Sequence, residues 1–379
     1  MKVLSVAAPG SGLFLPTVPL AWALRAAGHD VVVANTGAAA ASLVSAGFSA
    51  VDLCPGRDVF AEFMHISGLI NAIPPGQPRP RGGLGMFGEA MADGLLALAR
   101  AVRPDLILST LEQGAAPLVA AELGVPLVEQ SVRLAWAGTD PRAEHYRDAI
   151  AEFMEPTRER LGLPAPVRAA AVVDVRPPSM GGRDTPGHWS MRYVPYNEAR
   201  SLPEWALTCG ERPRICVTLG SVLPASMNLG SLGGLLASFE DLDAEFVLAI
   251  GDIGPSFTGP LPRNVRQVGW MPLNALLPTC AAIVHHGGAG TALTALACGV
   301  PQLVVPHGAD RPENAAVLVR RGVGLSCAPS EITAERLRSV MVELLREQAF
   351  GKAATEVRDE IAAQPSPARI VGRLEDLVR

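Results

Sequence analysis

The residues best suited to chemistry lie in one short stretch, where two histidines precede a run of small residues. His285 and His286 end an apolar segment, and Gly287, Gly288, Ala289, Gly290 and Thr291 follow directly. A helix is predicted from Thr291 to Cys298. A strand that turns through small residues into a helix leaves several backbone N–H groups unpaired at the positive end of the helix dipole. Such a turn can bind phosphate or diphosphate. A purely structural turn with buried or capping histidines is the alternative.

The segments around this turn narrow the choice. Upstream lies 264–272 (NVRQVGWMP), and downstream lie 299–306 (GVPQLVVP) and 310–315 (DRPENA). Together with the turn they resemble the nucleotide-sugar-binding half of the family 1 glycosyltransferases, particularly the actinobacterial enzymes that glycosylate secondary metabolites. The resemblance implies an α/β protein with the GT-B fold, in which two Rossmann-like domains face each other across a cleft.

By this resemblance, the turn would hold the diphosphate of a nucleotide sugar. The backbone N–H groups of Gly288, Ala289, Gly290 and Thr291 can approach the phosphates because glycine has no side chain. His286 and the Thr291 hydroxyl would add side-chain donors. His286 is preferred to His285 because neighbouring strand residues face opposite ways, and the family's histidine directly precedes the glycines. For His285 we favour a buried structural role.

The resemblance also implies contacts to the base and the sugar. Trp270 would lie against the nucleobase, with the backbone of Met271 and Leu273 at the pyrimidine edge; a core position is the alternative for Trp270. Asp310 would accept hydrogen bonds from sugar hydroxyls. The next position is usually glutamine but here is Arg311, and this fixed cation favours an unusual or deoxygenated sugar, or a different register. Ser221 would contact phosphate, or serve as an ordinary cap or turn residue.

The acceptor half departs from the family. Most resembling enzymes carry a catalytic histidine before the first helix, and here that position, in the acceptor-side segment Ser11, Gly12, Leu13 and Phe14, is Leu13. Glu112 follows the strand where the family keeps the acid that orients this histidine. In apolar surroundings Glu112 could deprotonate the acceptor itself; a carboxylate that caps the next helix is the alternative. Weaker candidates are Asp140, His145 and His65.

The loss of this histidine is also a feature of the carbon-glycosylating members of the family. The type of bond formed between sugar and acceptor therefore stays open. A third possibility, a dinucleotide-dependent oxidoreductase, is disfavoured. Gly10 and Gly12 fit the start of the dinucleotide fingerprint, but Leu15 replaces its last glycine.

Two α/β units must position these residues. Apolar runs alternate with amphipathic ones from residue 3 and again from residue 214, which predicts parallel sheets covered by helices. The predicted domains are 1–200, which would bind the acceptor, and 213–360, which would bind the nucleotide sugar. Residues 361–379 would form a helix that, as in GT-B enzymes, crosses back to the amino-terminal domain.

Between residues 56 and 87 the Gly- and Pro-rich pattern predicts no packed element. We interpret this stretch as a mobile acceptor lid, with a disordered excursion as the alternative.

Composition sets further bounds. A chain of 379 residues exceeds one usual core, so two domains are expected. The net charge of −5, with both signs scattered, argues against a nucleic-acid partner. The six cysteines form no metal-binding spacing, and we expect no metal. The amino terminus enters a short strand-like run, unsuited to a signal peptide or a membrane span, so we expect a cytoplasmic protein without a membrane partner.

We therefore predict an inverting, metal-independent hexosyltransferase that needs no cofactor. It would move a sugar, with a deoxysugar favoured, from a dTDP-sugar co-substrate to a hydrophobic acceptor in antibiotic biosynthesis. The sequence leaves a homodimer open. The alternative, indicated by Leu13 and Arg311, is a catalytically impaired homologue that acts as a helper or binding subunit.

Overall fold

A computed structural model describes residues 1–73, 77, 82–138, 140–218, 239–240, 242–249 and 261–379. Two parallel β-sheets organise these residues, which confirms the α/β class predicted from the alternating pattern. Helices cover both faces of each sheet.

The first sheet has seven strands in the order β3-β2-β1-β4-β5-β6-β7. The strands are β1 (Lys2–Val6), β2 (Asp30–Asn35), β3 (Ala50–Asp52), β4 (Leu106–Ser109), β5 (Leu127–Gln130), β6 (Ala171–Asp174) and β7 (His188–Ser190). The helices are α1 (Ser11–Phe14), α2 (Val18–Ala26), α3 (Gly37–Ser45), α4 (Val59–Ala72), α5 (Gly85–Val102), α6 (Ala116–Leu123) and α7 (Pro141–Leu161). The strand order reverses between β1 and β4, so the loops after these strands open a crevice at their carboxyl ends.

The second sheet has six described strands in the order β10-β9-β8-β11-β12-β13. They are β8 (Arg214–Thr218), β9 (Glu245–Leu248), β10 (Val265–Gln267), β11 (Ala282–His285), β12 (Gln302–Val304) and β13 (Gly324–Ser326). The helices are α8 (Leu273–Leu276), α9 (Ala289–Cys298), α10 (Arg311–Arg321), α11 (Ala334–Arg346), α12 (Gln348–Ala363) and α13 (Pro367–Val378). Here the order reverses between β8 and β11. Residues 285–291, which we call the histidine turn, begin at the end of β11 and lie at this second crevice.

Alternation along the strands builds the core. On β4, Leu106 and Leu108 pack into one apolar cluster, whereas Ile107 packs into another on the opposite face. All three side chains are almost completely buried. This period-2 pattern explains why the strands consist of continuous apolar runs, since both faces are covered by helices.

The carboxyl-terminal helices connect the two halves. Helix α13 lies against α2, and Ile370 and Leu374 join the apolar cluster that contains Leu20 and Leu24. Between α12 and α13, the buried Gln364 amide donates to the Arg176 carbonyl and to the Ser190 hydroxyl, both at 2.8 Å. No helix among the described residues is both long enough and apolar enough to cross a membrane.

Two predictions about local structure were wrong, and one helix was not predicted. The stretch 56–87 contains the 14-residue helix α4, because Asp58 caps its start by accepting from the Ala61 N–H at 2.9 Å, and the Pro- and Gly-rich part begins only afterwards. Residues 74–76 and 78–81 of the expected lid lie outside the described residues. Helix α7, with Asp140 as its cap and Pro141 in its first turn, was not predicted. Helix α9 begins at Ala289, two residues before the expected Thr291.

Candidate functional site

The histidine turn leads into helix α9, whose first backbone N–H groups have no side-chain cap. Gly287 has φ +89°, a conformation that favours glycine, and Gly288 is the N-cap residue of α9 without a side-chain cap. From Gly288 to Thr291 the chain is only half-buried. The first N–H groups of α9 therefore face accessible space with a positive partial charge, which is the arrangement that an anion requires.

His286 lies directly over this helix start. Its side chain is buried, and a Cβ atom placed on Gly288 would lie 2.4 Å from His286 Nε2. Nδ1 is buried without a hydrogen-bond partner among the described residues. Burial lowers the pKa of His286 to about 3, helped by the neighbouring His285 and Arg311. The imidazole is therefore neutral near pH 7, with one N–H to donate.

His285 differs from His286 because both of its ring nitrogens have partners inside the protein. Nε2 lies 2.8 Å from Gln302 Oε1, and Nδ1 accepts from the Gly287 N–H at 3.1 Å. Since Nδ1 accepts, Nε2 carries the proton that is donated to Gln302. Burial lowers the pKa of His285 to about 4. This side chain shapes the turn and has no nitrogen left for a ligand.

Asp310 and Arg311 lie beside the turn. Asp310 is the N-cap residue of α10, and its side chain caps no N–H. Gly308 and Ala309, just before it, both have positive φ angles, of 68° and 50°. For alanine this conformation is strained, and such strain concentrates at functional sites. Burial lowers the pKa of the Arg311 guanidinium, against the opposing effect of Asp310, and the cation lies close enough to His286 to depress the pKa of that imidazole.

Glu112 lies across the cleft, in the loop after β4. It is 1% exposed, and its Oε1 accepts from Arg133 Nη2 at 2.6 Å. Its Oε2 is buried and has no partner among the described residues. The expected apolar surroundings are therefore wrong, because Arg133 provides a cation. The alternative of helix capping is also wrong: Ala115, the N-cap of α6, has no side-chain cap, and its N–H donates to Gln113 Oε1.

The acceptor-side segment forms part of an apolar wall. A Cβ on Gly10 would lie 3.2 Å from Phe60 and 3.4 Å from Leu13, so these two side chains meet above the loop after β1. The Phe63 ring lies 4.5 Å from the Phe87 ring, and Leu13, Phe60 and Phe63 stay partly exposed. Phe14, in contrast, is 2% exposed and packs in the core, so its side chain does not face the acceptor side.

The residues predicted to contact the nucleobase lie between the end of β10 and the start of α8. Trp270 is half-buried and belongs to none of the described apolar clusters, and its indole N–H donates to the Asn197 carbonyl at 3.3 Å. Met271 and Leu273 have buried side chains, so only their backbone groups could meet a ligand.

The remaining candidates are exposed, cap a helix or fall in a part of the chain that the structure does not describe. Ser221 lies outside the described residues. His65 and His145 are exposed, and Asp140 caps α7 and pairs with Arg142.

A cavity of about 500 Å³ lies among α6, α7, β4 and β5, and Leu111, the neighbour of Glu112 in the sequence, is one of its lining residues. Its walls are mainly apolar and include Leu111, Leu118 and Met154. At one side Arg147 donates to both carboxylate oxygens of Glu129, at 3.0 to 3.1 Å. Burial raises the pKa of Glu129, and Arg147 opposes this shift. The cavity therefore provides apolar volume beside the loop after β4, although Glu112 itself does not line it.

Sequence reasoning missed two residues that hold the site together. The buried Asn314 donates to the Gly287 carbonyl at 2.9 Å and accepts from the Ala135 N–H at 3.2 Å, so it joins the histidine turn to the amino-terminal domain. Arg133 carries the cation beside Glu112. Asn314 lies in the segment 310–315 that carries the resemblance, but no role was predicted for it, and no local pattern marks Arg133; the partners of both residues are distant in sequence. The described residues contain no group of three or more His, Cys, Asp or Glu that could hold a metal ion.

The chain matches known proteins along most of its length. Residues 81–220 match the N-terminal domain, and residues 234–377 the C-terminal domain, described as erythromycin biosynthesis protein CIII-like. Elloramycin glycosyltransferase ElmGT of Streptomyces olivaceus is 39% identical over 385 residues, with 99% of this chain and 97% of the relative covered.

Two solved structures are similar over the whole chain. The glycosyltransferase SnogD from Streptomyces nogalater has 38% identity and a TM-score of 0.83, with 100% of this chain and 99% of that chain covered. SsfS6 from Streptomyces sp. SF2575, complexed with thymidine diphosphate, has 31% identity and a TM-score of 0.81, with 99% of each chain covered.

Proposed function

Since the chain belongs to the erythromycin biosynthesis protein CIII-like family of GT-B glycosyltransferases, we propose that it transfers a deoxysugar from a thymidine diphosphate sugar to a hydrophobic natural-product acceptor. The observation that carries the donor assignment is His286, a neutral, buried imidazole with an unpartnered nitrogen, lying over the open start of α9. A diphosphate provides the acceptor oxygens that this arrangement lacks. Thymidine diphosphate in the similar structure of SsfS6 supports the choice of nucleotide.

The reaction is a single displacement with inversion at the anomeric carbon. The acceptor atom forms its bond to that carbon while the bond to the leaving phosphate oxygen breaks, and the diphosphate departs with the electron pair. Negative charge grows on the diphosphate, where the N–H groups from Ala289 to Thr291 and the His286 N–H stabilise it. The Arg311 cation adds to this stabilisation, and no metal ion is required.

Glu112 is the proposed general base. Arg133 occupies one of its oxygens, and Oε2 is free to accept the proton of an acceptor hydroxyl. For a phenol carbon acceptor, the same oxygen would accept the phenolic proton and raise the nucleophilicity of the ring. Since Leu13 replaces the usual histidine, both oxygen and carbon acceptors are consistent with one carboxylate at this position.

A hydrophobic acceptor fits the amino-terminal side of the cleft. Leu13, Phe60 and Phe63 present partly exposed apolar surface, and the cavity near Leu111 adds about 500 Å³. Burial of this surface against an apolar ligand favours binding without requiring a specific set of hydrogen bonds. Elloramycin glycosyltransferase supports a natural-product acceptor.

The first test is calorimetric titration of thymidine diphosphate into the wild-type protein, His286→Ala and His145→Ala. His145 is exposed on α7 and serves as the matched control. We expect binding by the wild type and the control, and at least tenfold weaker binding by His286→Ala. Absence of thymidine diphosphate binding by the wild type, or equal affinity in His286→Ala, would contradict the donor assignment.

The second test is a mass-spectrometric screen of dTDP-deoxysugars against aromatic polyketide and macrolide aglycones, with wild type and Glu112→Gln. We expect a glycosylated product that Glu112→Gln forms at least a hundredfold more slowly. Resistance of the product to acid hydrolysis would identify a carbon linkage. Binding of thymidine diphosphate without turnover of any donor would instead favour a helper subunit.

A further inference from the structure

One guanidinium contacts the key carboxylates of both domains. Arg133, in the loop after β5, donates through Nη2 to Glu112 Oε1 at 2.6 Å, and its Nη1 lies 3.6 Å from Asp310 Oδ2. Glu112 belongs to the amino-terminal domain and Asp310 to the carboxyl-terminal domain. The base proposed for the acceptor and the carboxylate proposed for the sugar therefore lie on two nitrogens of the same planar group.

Aromatic rings fix the position of this guanidinium. Arg133 Cζ lies 4.1 Å from the centroid of the Trp136 ring and 5.3 Å from that of Tyr146, and these two rings stack at 5.1 Å. The Arg133 side chain is 13% exposed. A cation held against an aromatic face and shielded from water has few alternative positions. Arg133 is thus a rigid bridge between the two halves of the cleft.

The two contacts differ in strength, and the difference has a functional meaning. The 2.6 Å contact is a charge-assisted hydrogen bond that fixes Glu112 Oε1 and leaves Oε2 as the free oxygen. At 3.6 Å, Arg133 and Asp310 attract each other without a hydrogen bond, so the lone pairs of Asp310 remain available for sugar hydroxyls.

We propose that Arg133 is a positioning residue that sets the acceptor base and the donor sugar in register across the cleft. The proposal rests on the proposed function, because it requires that Glu112 and Asp310 serve acceptor and sugar. Arginine is needed because a planar fork can address two carboxylates through separate nitrogens, whereas the ammonium of lysine is a single point charge. Loss of the bridge would leave both substrates bound but poorly aligned.

The test is steady-state kinetics of Arg133→Lys and Arg133→Gln, with donor and acceptor varied separately. We expect the affinity for thymidine diphosphate to stay within threefold of wild type. In the described part of the chain, the ion pairs and ring contacts of Arg133 involve Glu112, Asp310, Trp136 and Tyr146, none of which belongs to the histidine turn. We expect kcat to fall about a hundredfold in both variants, as for reactants displaced by about 1 Å. The share of donor that is hydrolysed instead of transferred should rise. Wild-type kcat and an unchanged hydrolysis share would overturn the proposal.

Arg142→Gln is the matched control. Arg142 also joins the domains, through a 3.0 Å contact with Glu313, but its side chain is 46% exposed, and it pairs with Asp140 and Glu313 and not with Glu112. We expect near-wild-type kcat for this variant. A loss equal to that of Arg133→Gln would show that removal of any interdomain ion pair has the same effect, and would also overturn the proposal.

A double variant keeps the test valid if Arg133→Gln unfolds because Glu112 is left unpaired. In Glu112→Gln/Arg133→Gln the buried charge is removed, and thymidine diphosphate binding reports that the protein is folded. If Arg133 acts through Glu112, this variant should transfer sugar as slowly as Glu112→Gln alone. Full multiplication of the two single losses would contradict that route. An inactive wild-type protein that also fails to bind thymidine diphosphate would instead refute the proposed function itself.

Discussion

Replacement of Gly288 by alanine should separate catalysis from stability at the donor site. Gly288 has φ −63° and ψ 136°, which any residue can adopt, so the new methyl group causes no backbone strain. Its Cβ would, however, lie 2.4 Å from His286 Nε2 and 3.0 Å from Cε1. Ordinary contact needs about 3.5 Å, so the imidazole must move by about 1 Å.

The expected magnitudes follow from what holds this imidazole. Because Nδ1 has no partner among the described residues, the ring can turn without breaking a hydrogen bond there. The free energy of unfolding should therefore fall by only about 1 kcal/mol, at the low end for an overpacked site. A displacement of about 1 Å in a catalytic group costs about a hundredfold in rate. We thus expect a large kinetic defect in a well-folded protein.

Urea unfolding, calorimetric titration with thymidine diphosphate and turnover of a donor would measure the three effects. Gly290→Ala is the stability control, since its Cβ would meet nothing closer than Tyr193 Oη at 4.0 Å. In a His286→Ala background, Gly288→Ala should add almost no further loss of activity, because the colliding ring is absent. Wild-type kcat/KM in Gly288→Ala, or full additivity with His286→Ala, would refute this reasoning.

Three further predictions concern stability. Asn314→Ala leaves the Gly287 carbonyl and the Ala135 N–H without their partner, so unfolding in urea should become easier by about 2 kcal/mol and thymidine diphosphate binding should weaken; unchanged values of both would contradict it. Arg147→Met leaves the buried Glu129 carboxylate unpaired and should lower the free energy of unfolding by about 3 to 5 kcal/mol at pH 8. Because burial raises the pKa of Glu129, this loss should become smaller as the pH is lowered and the carboxyl takes up a proton; a loss that does not depend on pH would contradict it. The pKa of His286 is lowered to about 3 in the folded protein, whereas in the unfolded chain it is about 6.5. Below pH 6.5 the unfolded chain therefore binds a proton that the folded protein does not, and the free energy of unfolding should fall by about 2 kcal/mol between pH 7 and pH 5. His286→Asn should lose this part of the acid sensitivity.

The donor half could be predicted because its parts are contiguous. The strand, the glycine turn and the helix that ends at Cys298 occupy one stretch of sequence, so a local pattern contains His286 and the backbone N–H groups of the anion site. The comparisons confirm the family, the GT-B fold and the glycosyltransferase class that this pattern predicted. The roles assigned to His286 and its neighbours stay predictions until ligand binding is measured.

The surroundings of Glu112 could not be predicted, because they depend on strand order. Arg133 is 21 residues away along the chain and reaches Glu112 only because β4 and β5 are neighbours in the sheet. Asp310 comes from the other domain. Helix α7 differs, because its start signal is local: Asp140 caps the helix, and Pro141 follows in its first turn.

The contacts across the cleft indicate why the two halves of the site must change together. The loop after β5 and the start of α7 contact the first turn of α10 through Arg133 with Asp310, Ala135 with Asn314, and Arg142 with Glu313. That first turn carries the residues proposed to select the sugar, and the loop carries the cation that holds the proposed base. A substitution that shifts α10 to fit another sugar would therefore also shift Arg133, and through it Glu112. Sugar selection and acceptor activation are coupled by this geometry, so a change of donor specificity should require compensating changes in the amino-terminal loop.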